Sequence, residues 1–237
     1  SAAREGQKAL VAPDIASAVF LVFAKAAPEK GAKGITCFLV ERGDGVKTSP
    51  LKGKLGLRAA DTGMVFLDGV RVPKDRVLGK EGEGFRIALS TLDTGRISLA
   101  AGAVGLMQRA LDLSLAYAGE RKQFGKPIAQ FQLVQEHLAA MKLDLEAARL
   151  LTYRAAWKKV KGEPYTLEAS LAKLFASEAA NRVAYRAIQV HGGYGFFEEY
   201  EVARLYRDAR ILTLYEGTSE VQKLIIGAHL TGVRAFA

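Results

Sequence analysis

Three short stretches carry residue types whose spacing could do chemistry. In Leu214-Tyr-Glu-Gly-Thr-Ser-Glu220 a carboxylate, Glu216, stands directly before a glycine and a helix start, among apolar Leu212, Leu214 and Tyr215. Apolar surroundings disfavour the charged carboxylate and raise its pKa, which suits a general base working near neutral pH. A first-turn acid that complements the helix dipole is the plainer reading. In Glu120-Arg-Lys-Gln-Phe-Gly125, at the junction of two long helical patterns, Gly125 and Pro127 mark a turn. There the Arg121 guanidinium can grip a phosphate in two-pronged fashion; a solvated, charged helix end is the plainer reading. In Gln189-Val-His-Gly-Gly193 a polar side chain lies one turn before a glycine pair. Backbone without Cβ lets a flat or phosphorylated ligand come close, whereas a glycine C-cap needs no ligand.

Other chemistries find less support. His137, His191 and His229 are scattered with no two at helical ligand spacing, so no metal site is expected. No Gly-x-Ser-x-Gly occurs, and Ser219 is expected to cap a helix rather than to act as a nucleophile. Neither Gly82-Glu-Gly84 nor Gly192-Gly-Tyr-Gly195 has the Gly-x-Gly-x-x-Gly form after a strand. The net charge of +9 is uneven: residues 1–80 carry 14 basic against 8 acidic side chains, the rest 20 against 17. Without a basic run or a recognition motif, that charge does not argue for nucleic acid. A single cysteine, Cys37, makes neither an intramolecular disulfide nor a cysteine-based metal site, so a reducing compartment is expected. The longest largely apolar run, Ile15 to Ala24, is short of the roughly 20 residues that cross a bilayer, and Ser1 opens no signal-peptide pattern. The expectation is a soluble, cytoplasmic chain, or one of the mitochondrial matrix if eukaryotic.

The elements that position these residues fall into two parts. With 237 residues, 49% of them hydrophobic, the chain can bury a sizeable core, and disorder or collagen-like repetition is excluded. Ala18 to Ala24, Ile35 to Val40 and Met64 to Leu67 are β-branched and aromatic runs separated by Pro, Gly, Lys and Asp, which predicts an antiparallel sheet piece. From Gly84 onward long helical patterns run with few breakers. Val134, Leu138, Met141, Leu145, Ala148 and Thr152 form one stripe, and Leu171, Leu174, Phe175, Ala179, Val183 and Ala187 another. Arg96 to Ala118 is rich in Ala and Leu, and Ser219-Glu-Val-Gln222 has capping-box spacing at the head of a last short helix. The predicted fold is α+β: a partial antiparallel β-domain over residues 1–80, then an up-and-down helical bundle over 81–237.

Taken in order, Leu92-Asp-Thr-Gly-Arg96, Arg121-Lys-Gln-Phe-Gly125 with Phe131-Gln132, Gln189-Val-His-Gly-Gly193, Arg207-Asp-Ala209 and Tyr215 to Glu220 resemble the C-terminal helical domain of the acyl-CoA dehydrogenase family. Gly56 to Pro73 resembles the second half of that family's middle β-domain, and Gly95 before Arg96 looks most like its short-chain members. The resemblance implies an FAD enzyme that oxidises an acyl-CoA thioester to the trans-2-enoyl-CoA. Glu216 matches the base that takes the proton α to the thioester while the β-hydride passes to the flavin N5. The base's own backbone N–H and a flavin ribityl hydroxyl would bind the carbonyl oxygen. Asp93, Arg96 and Gly217 would line the substrate site. In some relatives a glutamate before that arginine is the base; here the position is Gly95, which leaves Glu216. Arg121, Phe124, Gln132, Gln189, Gly192 and Gly193 match residues holding the adenosine diphosphate half of a neighbouring subunit's FAD. Thr218 and Glu220 match positions touching FAD in the same subunit. The implied partners are an electron-transfer flavoprotein and further copies of the chain, in a dimer of dimers, or a full-length subunit.

The family's N-terminal helical domain and first β-strands have no counterpart here. After Gly6-Gln-Lys8 the family continues with an aromatic, a Ser or Thr, and then Asn beside the flavin ring, whereas this chain reads Ala9-Leu10-Val11-Ala12-Pro13. Three origins fit: a fragment of an enzyme, a short subunit paired with a complete partner, or a non-catalytic scaffold or regulatory subunit that binds CoA esters or another chain.

Overall fold

The computed structural model describes residues 2–11 in backbone course, and residues 17–43 and 45–233. Two compact units result, residues 1–91 and 92–237.

Among the described residues the first unit holds six strands: β1 (Ala2–Val11), β2 (Val19–Lys25), β3 (Ile35–Glu41), β4 (Val46–Pro50), β5 (Gly63–Val72) and β6 (Val77–Leu78). They make two antiparallel three-stranded sheets, β1-β5-β4 and β2-β3-β6. In β2 and β3 the pairs Phe20↔Val40 and Val22↔Phe38 face each other, which is why these aromatic and β-branched runs are legible as strands. Phe20, Phe38 and Val40 share one buried cluster with Val46, Val65, Val70 and Val72 of the other sheet. β1 and β4 carry little apolar signal; β4 buries only Val46. They form because β5 offers both its edges to them. Of the sequence features noted above, Ser1, Ala12-Pro13 and the first two residues of the Ile15 run lie outside the described residues.

The second unit is a helical bundle, so the fold is α+β as the pattern implied. Its helices are α1 (Gly84–Glu120, which begins in the first unit), α2 (Gln132–Val160), α3 (Thr166–His191), α4 (Glu201–Ala209) and α5 (Ser219–Thr231). The stripe on α2 is buried at Met141, Leu145, Ala148 and Thr152. On α3 the stripe is buried as expected at Ala179, Val183 and Ala187, but its first three residues need correction. Leu171, Leu174 and Phe175 are half-buried at the flank, while Ala169, Ala172, Ala176, Ala180 and Ala184 are fully enclosed. Alanines let neighbouring helix axes come close, so the central helix of the bundle is lined by its small residues rather than its large ones. No described helix is long and apolar enough to cross a membrane.

The head of α5 differs from the expected capping box. Thr218 is the N-cap, its hydroxyl accepting from the Val221 N–H, and Ser219 is the first helical residue, donating instead to Glu178 Oε1 at 2.5 Å. Gln222, the expected partner of a Ser219 cap, is one residue too far along to close the box on Thr218, and its amide turns back into the loop before the helix.

Candidate active site and a separate groove

Glu216 lies in a turn between α4 and α5 that begins with a 3-10 segment, Arg210–Thr213. Its backbone is left-handed, φ 59°, as is that of Gly217, φ 88°. A side chain in this region costs about 1–2 kcal/mol, so surrounding bonds must hold it there. They converge on two carbonyls. Arg96 Nε donates to the Glu216 oxygen at 3.2 Å, and Gln222 Nε2 donates to the Glu216 and Gly217 oxygens at 3.1 Å each. Lys173 Nζ donates to the Gly217 oxygen at 2.7 Å. Gly217 has no room for a side chain: a Cβ there would stand 2.7 Å from Gln222 Nε2.

The Glu216 carboxyl rests against the bare backbone of α1. A Cβ on Gly95 would be 2.6–2.8 Å from its carboxyl atoms. Oε2 is buried and has no hydrogen-bond partner among the described residues. Burial pushes this carboxyl above its ordinary range, against the opposing pull of the Arg96 and Lys173 cations. Arg96, itself buried, is fixed from the other side: Nη1 donates to Asp93 Oδ1 at 2.9 Å, and Asp93 Oδ2 accepts from Thr166 Oγ1 at 2.6 Å. A half-buried carboxyl with a raised pKa and an unsatisfied oxygen can exchange a proton with a ligand.

The second place is a groove of about 480 Å³ whose walls include Tyr117, Arg121, Gln123, Gln189, Gly192 and Gly193. The Arg121 guanidinium sits 5.3 Å from the Tyr194 ring centroid. Gly192 ends α3 with φ 59°, and a Cβ at Gly192 or Gly193 would meet nothing within 4 Å, so this backbone is open to a ligand. Below it the His191 ring stacks on Tyr117 at 4.3 Å and its Nδ1 is 2.8 Å from the Ala187 oxygen. Burial lowers the His191 pKa, which favours a neutral aromatic floor. An arginine, an exposed side-chain amide and bare glycine backbone form a donor set for an anionic group such as a diphosphate.

The residues expected to hold a cofactor thus fall in three places. Arg121, Gln189, Gly192 and Gly193 share the groove. Phe124, 92% exposed with φ 51°, occupies the tight turn between α1 and α2, and Gln132 is exposed at the first residue of α2; neither lines the groove. Thr218 and Glu220 lie at the head of α5, on the Glu216 side. The exposed Glu220 carboxylate is held below its ordinary range by its own N–H and the Thr218 hydroxyl. Among the described residues no group of three or more His, Cys, Asp or Glu could hold a metal ion. Reasoning from sequence missed Lys173 and Gln222. A signal for Lys173 existed: it lies in helical register with Ala169, Ala176 and Ala180, on a face where a lysine has no water.

Residues 82–231 match the acyl-CoA dehydrogenase C-terminal domain. The chain is 44% identical over 226 residues to the short-chain specific acyl-CoA dehydrogenase of Megasphaera elsdenii, covering 95% of this chain and 59% of that protein. It is also 44% identical over 211 residues to CarC, a subunit of the caffeyl-CoA reductase–Etf complex of Acetobacterium woodii, covering 89% of this chain and 56% of CarC. The butyryl-CoA dehydrogenase structure from Megasphaera elsdenii superposes with a TM-score of 0.94 at 44% identity, over 96% of this chain and 60% of that one. The chain therefore spans a little under two thirds of the length of these relatives, and by the matched domain, the identity and the shared fold it belongs to the acyl-CoA dehydrogenase family.

Proposed function

We propose that the chain is the C-terminal part, or a short subunit, of an FAD-dependent acyl-CoA dehydrogenase that converts an acyl-CoA thioester to the trans-2-enoyl-CoA. In this reading residues 1–80 are a partial middle β-domain and 81–237 the helical domain. Glu216 is the base. The observation that carries the reading is its carboxyl: half-buried, with one oxygen unsatisfied among the described residues, a raised pKa, and a seat directly against Gly95, where a Cβ would crowd it. A carboxylate so placed takes the proton from the carbon α to the thioester. That proton is acidic only while the carbonyl is polarised, and the Glu216 N–H is the donor this chain offers to the carbonyl oxygen. Asp93, anchored by Thr166, keeps Arg96 on the Glu216 carbonyl, and Gly217 leaves room for the Gln222 amide that binds the same turn.

The donor set of the groove fits the adenosine diphosphate half of FAD, with Arg121, Gln189, Gly192 and Gly193 as its holders; Phe124 and Gln132 lie outside the groove and would reach the cofactor only from the turn between α1 and α2. Thr218 and Glu220 would touch FAD near Glu216. Bound FAD supplies the acceptor for the β-hydride. The likeness to CarC supports an electron-transfer flavoprotein as the redox partner. Acyl-CoA dehydrogenation is tested by reconstituting the chain with FAD and adding butyryl-CoA. The flavin absorbance is expected to bleach, and Glu216→Gln to retain flavin without bleaching; absence of bleaching even beside a full-length partner would defeat the reading. A second reading, a non-catalytic scaffold for CoA esters, draws on the Ala9-Leu10-Val11 stretch, where the family's polar flavin contacts are replaced by apolar residues. It predicts no bound flavin and no effect of Glu216→Gln.

A further inference from the structure

Lys173 is fully buried in the middle of α3, and its one hydrogen bond to a described residue goes to the Gly217 oxygen at 2.7 Å. An ammonium without water is a poor way to stabilise a fold. Its pKa is lowered to about 8, by burial first and by Arg96 next, with Glu178, Glu216 and Glu220 pulling the other way. What the lysine does touch is the second of two successive carbonyls in a left-handed turn that a glutamate would leave if free. Arg96 from α1 and Gln222 from α5 reach the same turn, so three helices meet on one dipeptide.

We propose that Lys173 is a positioning residue: with Arg96 and Gln222 it grips the Glu216 and Gly217 carbonyls and so keeps the Glu216 carboxyl seated over Gly95. The proposal rests on Glu216 being the base. Of the three donors, the lysine is the one that binds only Gly217. Without it that carbonyl keeps a single, longer bond from Gln222, and the turn can rotate about the Glu216–Gly217 peptide. The Glu216 carboxyl also loses one of the two cations that face it, Arg96 remaining.

The test uses the whole chain with Lys173→Met, which keeps the aliphatic volume and removes the donor. Amide hydrogen exchange across residues 214–222 is expected to quicken about tenfold, the worth of one lost hydrogen bond. The Glu216 carboxyl, followed by carbon-13 NMR, is expected to titrate at higher pH than in the wild type, while α-proton exchange of butyryl-CoA slows with KM unchanged. Unaltered hydrogen exchange and an unaltered Glu216 titration would overturn the proposal and leave Lys173 as filler. Should the variant not fold, the wild type decides: Lys173 ammonium protons that exchange with water as fast as those of surface lysines overturn it, and slow ones coupled to the Gly217 carbonyl support it. A wild-type chain that exchanges no α-proton would sink the enzymatic reading, while the two NMR measurements still judge Lys173.

Discussion

Gly95→Ala separates the seat of the Glu216 carboxyl, the base of the proposed function, from the stability of the helix it sits on. The new Cβ would stand 2.6–2.8 Å from the Glu216 carboxyl, so the carboxyl must retreat by about 0.6 to 0.8 Å to regain an ordinary 3.4 Å contact. Since that carboxyl is the far end of a flexible side chain, the helix need not move. Within α1 the change from glycine to alanine is worth about 0.5–1 kcal/mol in favour of the fold, which offsets most of the side-chain displacement. The melting temperature should therefore stay within about 3 °C of wild type. Chemistry has no such compensation. A shift approaching 1 Å at a reacting group costs about 10- to 100-fold, or roughly 1.4–2.7 kcal/mol of barrier. The assay is α-proton exchange of butyryl-CoA in deuterated buffer, read by mass spectrometry beside a thermal melt. Exchange within twofold of wild type would show that the carboxyl does not use the space over Gly95, and the reasoning would be wrong.

The raised pKa of Glu216 means that the folded state holds this proton more tightly than the unfolded chain. Its stability contribution is full below the ordinary carboxylate pKa and is lost as pH rises through the raised one. Glu216→Gln should therefore gain on wild type in thermal melts taken upward from about pH 4, and a constant difference would refute the shift. Lys173 has the opposite sign of perturbation: its stabilising contribution is present above pH 10.5 and lost as pH falls through about 8. At pH 7 Lys173→Met should relieve a cost of up to about 3 kcal/mol, less the lost Gly217 bond, and equilibrium unfolding near pH 7 and 10 would show the gain shrink with pH. Thr218→Ala should lower the melting temperature by about 2–4 °C, the worth of an N-cap at roughly 1 kcal/mol. Were Ser219→Ala the more damaging of the two through loss of a cap, the assignment of Thr218 would be wrong.

The bundle was legible because helices bury stripes, and α2 shows one at the expected residues. On α3 the stripe marks the core at Ala179, Val183 and Ala187 but its flank at Leu171, Leu174 and Phe175, since periodicity registers hydrophobic size while close helix packing selects alanine. β4 was invisible because its pairing is supplied by β5, not by its own composition, and β1 could be read only through the likeness of Gly6-Gln-Lys8 to a family strand. At the site, type and surroundings made Glu216 a candidate, and the family resemblance singled out it and Arg96, yet what holds them could not be read. Lys173 is 43 positions before Glu216 and Gln222 six after, and only the fold shows them reaching adjoining carbonyls. The cap was misassigned by one residue because Thr218 and Ser219 are chemically alike, and the choice between them turned on Glu178, which claims the Ser219 hydroxyl.

The distance between the two sites bears on how many chains make one complete centre. Lys173 bonds the residue after Glu216, and Gly192 lies 19 residues further along the same helix, roughly 28 Å at about 1.5 Å per residue. A ribityl chain places a diphosphate only about 10 Å from the flavin ring, counting bonds of roughly 1.5 Å. Under the proposed function, one FAD would not reach both places in a single chain, and the groove would serve the flavin of a second copy. Complementation tests this directly. Glu216→Gln and Arg121→Ala chains are each expected to be inactive, the first for want of the base and the second through a flavin affinity lowered about 10- to 100-fold by loss of a charge-assisted bond. Mixed and reassembled in equal amounts, half of the pairs contain one of each, and every such pair has one site with both native residues. Activity should then return to about a quarter of wild type by the symmetry of a two-fold pair. If each site were built within one chain, no mixture of the two variants would recover activity.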